Sequence, residues 1–187
     1  IGRAFVDPAR TRGRGAQTNV SSRFDAESRE AFDDGWGIVE DFKPFETIEH
    51  VERAKSIITR NESPDIGFDR SINAYRGCEH GCSYCFARPT HSYLGHSAGL
   101  DFERQIHVKV NAVDLLRREL ADKRYKPKPI AMGTNTDPYQ PAERKHQLTR
   151  GILEVLLDTR HPVTIVTKSA LVVRDLDILS EMGKLGL

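Results

Sequence analysis

Ser71-Ile-Asn-Ala-Tyr75-Arg-Gly-Cys78-Glu-His-Gly-Cys82-Ser-Tyr-Cys85 reads as a short apolar strand that runs straight into a loop carrying the only three cysteines of the 187-residue chain. Three thiolates so close together can hold three corners of an iron–sulfur cluster, and with no fourth cysteine one iron keeps an open coordination position. A disulfide framework would ask for an even number of cysteines scattered along the chain. The competing reading is a structural zinc site with His80, His91 or His96 as fourth ligand. Zinc loops usually pair their ligands as two separated halves, which C-x3-C-x2-C is not.

Downstream, short apolar runs alternate with helix-like segments from Asp69 onward, the pattern of βα units on a mainly parallel sheet. Ser71–Tyr75 is the first strand of that array. Ile106-His-Val-Lys-Val110 alternates at period 2 and predicts an additional strand. Asn111 is placed to cap a helix reaching Tyr125, with Val113, Leu116 and Leu120 on one face. Ile130-Ala-Met-Gly133 predicts a buried second strand, and Glu143 to Thr159 a helix with Leu148, Ile152, Val155 and Leu156 at helical spacing. Val163-Thr-Ile-Val-Thr167 predicts a third strand by its β-branched content, followed by a helix through Leu176, Ile178, Leu179 and Met182.

Upstream, residues 1 to about 35 hold Arg3, Arg10, Arg12, Arg14, Arg23 and Arg29 among Gly, Ser, Asn and Gln with no hydrophobic period, which reads as a flexible arm, in its bland form a solvated tail or a strap lying on the domain. Two apolar pieces, Trp36–Val39 and Val51–Ile58, and the turn-forming Asn61-Glu-Ser-Pro-Asp65 complete a lead-in. The expected division is therefore an arm and lead-in over 1–68 and a core over 69–187. The chain starts at Ile rather than Met, which reads as a partial sequence.

Twenty-eight Lys and Arg against 27 Asp and Glu leave a net charge of +1, so no global field argues for nucleic acid or an anionic membrane. Contact between nucleic acid and the Arg-rich arm would be local. The absence of a long apolar run and of a secretion-signal pattern leads us to expect a cytoplasmic protein with no membrane partner.

In a parallel βα array the loops after successive strands emerge at one edge, where such folds place their chemistry. The cysteine loop follows Tyr75, the string Thr134-Asn-Thr-Asp-Pro-Tyr-Gln-Pro-Ala-Glu143 follows Gly133, and Lys168-Ser169 follows Thr167. Strand direction alone predicts one shared site.

The spacing Cys78-x-x-x-Cys82-x-Tyr84-Cys85 resembles the signature loop of radical S-adenosylmethionine enzymes. The strings Arg76-Gly-Cys-Glu-His-Gly-Cys-Ser-Tyr-Cys-Phe-Ala-Arg-Pro-Thr-His91 and Gly133-Thr-Asn-Thr-Asp-Pro-Tyr-Gln-Pro-Ala-Glu143 are similar, more narrowly, to an uncharacterised bacterial branch related to spore photoproduct lyase. That resemblance implies an α/β fold, a partial (β/α)6 barrel of which about the first three βα units are present, with an irregular N-terminal extension. It implies a 4Fe-4S cluster held by Cys78, Cys82 and Cys85, with S-adenosylmethionine chelating the fourth iron. Reductive cleavage would give a 5′-deoxyadenosyl radical that abstracts hydrogen from a substrate, with a flavodoxin- or ferredoxin-like protein as reductant.

The same resemblance assigns Tyr84 to the adenine, Thr134, Asn135, Thr136 and Asp137 to the methionine amino group, and Lys168 and Ser169 to the carboxylate or ribose. It does not name a catalytic hydrogen donor. Spore photoproduct lyases carry a further cysteine at the tip of the second strand, where this chain has Thr134 and Asn135, so repair of a thymine photoproduct by that route is not expected. The alternative function is a zinc- or cluster-stabilised module that binds nucleic acid without turnover. On the blander reading of single residues, Thr134–Glu143 is a turn-rich connection, Lys168 a solvated lysine, and Arg76 and Arg88 counter-charges.

Overall fold

The computed structural model describes residues 13–16 and 46–187. The Trp36–Val39 piece and most of the Arg-rich arm lie outside the described residues. The chain divides into two compact units, Ile1–Glu49 with Gly77–Ile106 and His50–Arg76 with His107–Leu187.

The second unit carries the predicted parallel array. Strands β2 (Ile58–Arg60), β3 (Arg70–Ile72), β6 (Ile130–Met132) and β7 (Val163–Ile165) lie in the order β2-β3-β6-β7. β3 pairs parallel with β6 through Ser71↔Ala131 and Ile72↔Met132, and β6 pairs parallel with β7 through Ile130↔Val163 and Met132↔Ile165. All residues of β3 and β6 are buried, as central strands covered on both faces must be. Among the described residues these strands form an open sheet, not a closed barrel.

The edge strand β2 lies within the lead-in and pairs antiparallel with β3, Ile58 opposite Ile72. Its entry is held by the Glu119 carboxylate, which accepts the N–H groups of Ile57 at 2.6 Å and Ile58 at 3.0 Å. The connection to β3 is the expected turn: Asn61 Oδ1 accepts from Ser63 N at 3.1 Å, an Asx turn.

The predicted first strand is two strands. β3 ends at Ile72, and β4 (Tyr75–Arg76) pairs antiparallel with β5 (Gln105–Lys109), Tyr75 opposite Val108 and Arg76 opposite His107. The break falls at Asn73, whose side chain bonds to backbone elsewhere instead of letting the ladder run on. β5 itself matches the extra strand read from its alternation, with Ile106 and Val108 buried. β1 (Ile48–Glu52) belongs with these strands, in the order β1-β5-β4.

Between them run α2 (Ala112–Leu120), α3 (Glu143–His146), α4 (Leu148–Asp158) and α5 (Leu176–Leu185). Asn111 stands at the start of α2 but makes no side-chain cap; its amide instead exchanges two bonds with the backbone of Ala54, at 3.0 and 2.9 Å. α2 stops at Leu120, short of Tyr125, and buries Ala112, Leu115 and Leu116. The single helix expected over 143–159 is split at Gln147, which is left-handed with φ 50°. Glu143 causes the split by folding back to accept the first N–H groups of α4, Thr149 at 3.0 Å and Arg150 at 3.4 Å. α4 then buries Leu148, Ile152, Leu153, Val155 and Leu156, each large side chain stabilising the fold by about 1.5–3 kcal/mol.

The first unit is built from the cysteine loop, a 3-10 helix over Arg88–Leu94, and the short helix α1 (Leu100–Arg104). Its apolar centre is Cys78, Ala87 and Phe102, with Cys85 packed against it. Among the described residues, no helix of either unit is long and apolar enough to cross a membrane.

Candidate functional site

The cysteine loop is a run of tight turns in which every cysteine carbonyl closes one. Cys78 O accepts from Gly81 N at 3.2 Å, Cys82 O from Cys85 N at 3.2 Å, and Cys85 O from Arg88 N at 3.5 Å. The loop is anchored at its start by Cys78 N donating to Phe102 O at 2.9 Å. Cys78 is buried, while Cys82 and Cys85 are partly exposed, and none is in a disulfide.

Arg88 is more than a counter-charge. Its Nε donates to Cys82 O at 3.1 Å, its Nη1 to Gly99 O at 3.0 Å, and its Nη2 to the buried Glu103 carboxylate. Tyr84 and Phe86, the aromatics flanking Cys85, are 83% and 78% exposed. Of the histidines weighed as a fourth zinc ligand, His91 is buried edge-on against Phe102 at 5.5 Å and lies 5.1 Å from His96.

In the second unit the loops after β6 and β7 come together, as strand direction predicts. Asp137 joins them: its carboxylate accepts from Thr167 Oγ1 at 2.6 Å, Lys168 N at 3.0 Å and Tyr139 N at 2.8 Å. At Gly133, φ is 85° and a Cβ would stand 1.9 Å from Val166 O, so only glycine lets β6 leave the sheet this close to β7. Ser169 caps the turn that follows it, accepting from Leu171 N at 3.2 Å, and the Lys168 side chain is exposed.

Thr134, Asn135 and Thr136 are ordered by a residue not singled out from the sequence. Asn73 Oδ1 accepts from Asn135 N at 3.1 Å and Thr136 N at 3.4 Å, while Asn73 Nδ2 donates to Thr134 Oγ1 at 3.0 Å. Thr136 Oγ1 donates to Tyr75 O at 3.1 Å. Lys109 Nζ donates to Asn73 O at 2.8 Å; burial and then the nearby Arg76 push its pKa down, against the pull of Glu52. A second such residue is Glu143, fully buried, which takes the Tyr75 hydroxyl and Arg174 Nη2 at 2.8 Å besides the α4 amides. Burial and the adjacent Glu143 charge hold the Tyr75 hydroxyl protonated far above the ordinary phenol range.

The sequence is similar to uncharacterised proteins of wide origin. It is 46% identical over 119 residues to one from Mycobacterium tuberculosis strain H37Rv, covering 64% of this chain and 35% of that protein. It is 34% identical over 133 residues to one from Methanocaldococcus jannaschii (71% and 47%) and 30% identical over 134 residues to one from Acidianus two-tailed virus (67% and 44%). The chain thus spans less than half the length of these relatives. No family model matches it, and no solved structure does.

Proposed function

We propose that Cys78, Cys82 and Cys85 hold a 4Fe-4S cluster and that the chain is the first part of a radical S-adenosylmethionine enzyme with a partial (β/α)6 barrel. The observation that carries this is the loop of consecutive turns, each closed on a cysteine carbonyl. The donor set fits the group. The apolar floor of Ala87 and Phe102, which shields a reducible centre from water, favours the cluster.

The cluster, when bound, supplies one electron for reductive cleavage of S-adenosylmethionine, with a small reductant protein as donor. The residues of the chain bind and orient. Tyr84 offers an exposed ring for the adenine to stack on. Thr134 and Asn135 offer polar groups to the methionine moiety from a loop pre-set by Asn73 and Asp137. Lys168 and Ser169 are the proposed contacts of the carboxylate or ribose; Ser169 reaches them less readily, because its hydroxyl is engaged as a cap.

The test is anaerobic reconstitution of this chain with iron and sulfide. The expected product is brown, with broad visible absorbance that is lost in Cys82→Ala. A colourless protein retaining one zinc per chain would favour the non-catalytic module instead.

A further inference from the structure

The segment Gly13-Arg-Gly-Ala16, within the Arg-rich arm, is seated as a strap on Glu103, a glutamate with no exposed surface. The carboxylate accepts Arg14 N at 2.6 Å, Gly15 N at 3.1 and 3.2 Å, and Ala16 N at 2.7 Å, together with Arg88 Nη2. A buried carboxylate costs several kcal/mol unless donors replace its water, and here consecutive backbone amides of the segment replace it. The same Arg88 donates to Cys82 O at 3.1 Å. One side chain therefore links the segment to the carbonyl of the middle cysteine.

Two further contacts reach the loop. A Cβ on Gly15 would stand 1.8 Å from Gly81 O, and one on Gly81 would stand 2.7 Å from Arg14 Cβ, so the two backbones touch at glycines. Arg14 Nη1 donates to Glu103 O at 2.8 Å, and Arg14 Nη2 lies 3.1 Å from Thr47 Oγ1 and 3.6 Å from Glu79 Oε1. Thr47 Oγ1 also donates to Glu79 Oε1 at 2.8 Å. The segment thus braces the loop at Glu79, Gly81 and Cys82, from just after the first cysteine to the second.

We propose that residues 13–16 are a clasp that holds the cysteine loop in its ligating shape, with Glu103 and Arg88 as the positioning residues; this rests on the reading that the cysteines bind the cluster. The alternation of Gly and Arg follows from the contact. Glycine permits the approach to Gly81 and exposes its N–H to Glu103, and Arg14 reaches past to Glu79. A loop already folded loses less conformational entropy when metal arrives, which raises affinity without adding a ligand.

The experiment compares wild type with Gly15→Val, Glu103→Gln and Arg14→Ala by hydrogen exchange of the metal-free protein and by iron retained after reconstitution and gel filtration. In the variants, exchange over residues 78–88 should rise about tenfold or more, the consequence of losing one charge-assisted hydrogen bond, and retained iron should fall by more than half. Exchange in β6 and α4 should stay at wild-type values. Arg14→Ala, which keeps the backbone donors, is the mildest change and covers the case in which another variant fails to fold. Wild-type exchange across 78–88 in all three would overturn the clasp, whether or not iron binds. Raised exchange with undiminished iron would overturn its role in positioning the metal site. A wild-type protein that takes up no iron would instead overturn the cluster reading, and the exchange data would still decide whether the clasp exists.

Discussion

Asp137 accepts the backbone N–H of Lys168 at 3.0 Å, so one carboxylate ties the loop after β6 to the loop after β7. Its other oxygen takes the Thr167 hydroxyl at 2.6 Å. A carboxylate at a strand tip needs such donors to offset its lost water. Here they come from the neighbouring loop, which makes Asp137 the fastener of the strand-edge site.

Asp137→Ala should therefore destabilise the protein by about 1.5–3 kcal/mol, the range for hydrogen bonds to a charged group. Lys168→Ala should change stability by less than about 0.5 kcal/mol, as exposed substitutions usually do, because Lys168 joins this contact through its backbone. Urea denaturation of both variants is the measurement, and equal losses would contradict the assignment.

Asn73→Ala should release the Thr134–Thr136 segment by leaving its backbone donors unsatisfied, at a cost of about 1–3 kcal/mol. Asn73→Asp keeps the acceptor oxygen but loses the donor to Thr134 Oγ1, and should cost less. If the loop presents the methionine moiety, binding of S-adenosylmethionine by calorimetry should weaken more in Asn73→Ala than in Asn73→Asp.

Glu143→Leu should be among the most damaging single changes. It strips the α4 amides and the Tyr75 hydroxyl of their acceptor and leaves Arg174 with Asp175 and the backbone carbonyl of residue 143. Breaking a buried charged pair from one side costs about 3–5 kcal/mol. Tyr75→Phe removes a single donor from the same carboxylate and should cost about 1–3 kcal/mol; the ordering of the two in thermal unfolding is the check.

Acid should weaken the second unit in two stages. His161 is buried, which pushes its pKa down, with the bond to Pro162 O pulling the other way and Arg70 adding to the decrease. Its Nδ1 faces that carbonyl at 3.0 Å and so carries the proton, leaving Nε2 to accept from the Tyr125 hydroxyl at 2.7 Å. The unfolded chain then binds more protons than the folded one, so stability falls as pH drops from about 6.5 through the folded pKa. At Asp175 burial alone would raise the pKa, but the hydrogen bonds of Arg174 and Arg150 outweigh it and hold the carboxyl below its ordinary value. That contribution is present above about pH 3.9 and is lost as pH falls through the folded pKa. Melting temperature against pH should show the first stage in wild type and not in His161→Phe.

The parallel array was legible because the apolar run at 130–132 and the β-branched run at 163–165 stand between helices of clear period, and strand direction then fixed where Asp137 and Lys168 meet. The boundaries were not. Asn73 interrupts an apolar run because its amide serves the backbone of a loop some sixty residues away, and Glu143 breaks a periodic helix by capping its second half. Both depend on partners distant in sequence, which no local pattern carries. A single polar residue inside an apolar strand was the one visible hint for Asn73. Glu103 offered none: it lies in a short polar stretch, and its partners sit in an arm whose composition reads as disordered.

Electron paramagnetic resonance of the anaerobically reconstituted, dithionite-reduced chain, with and without S-adenosylmethionine, tests the central claim most directly. The account predicts a reduced-cluster signal that changes when the cosubstrate is added and is absent in Cys82→Ala. A silent, colourless protein with one bound zinc, unaltered by S-adenosylmethionine, would contradict it.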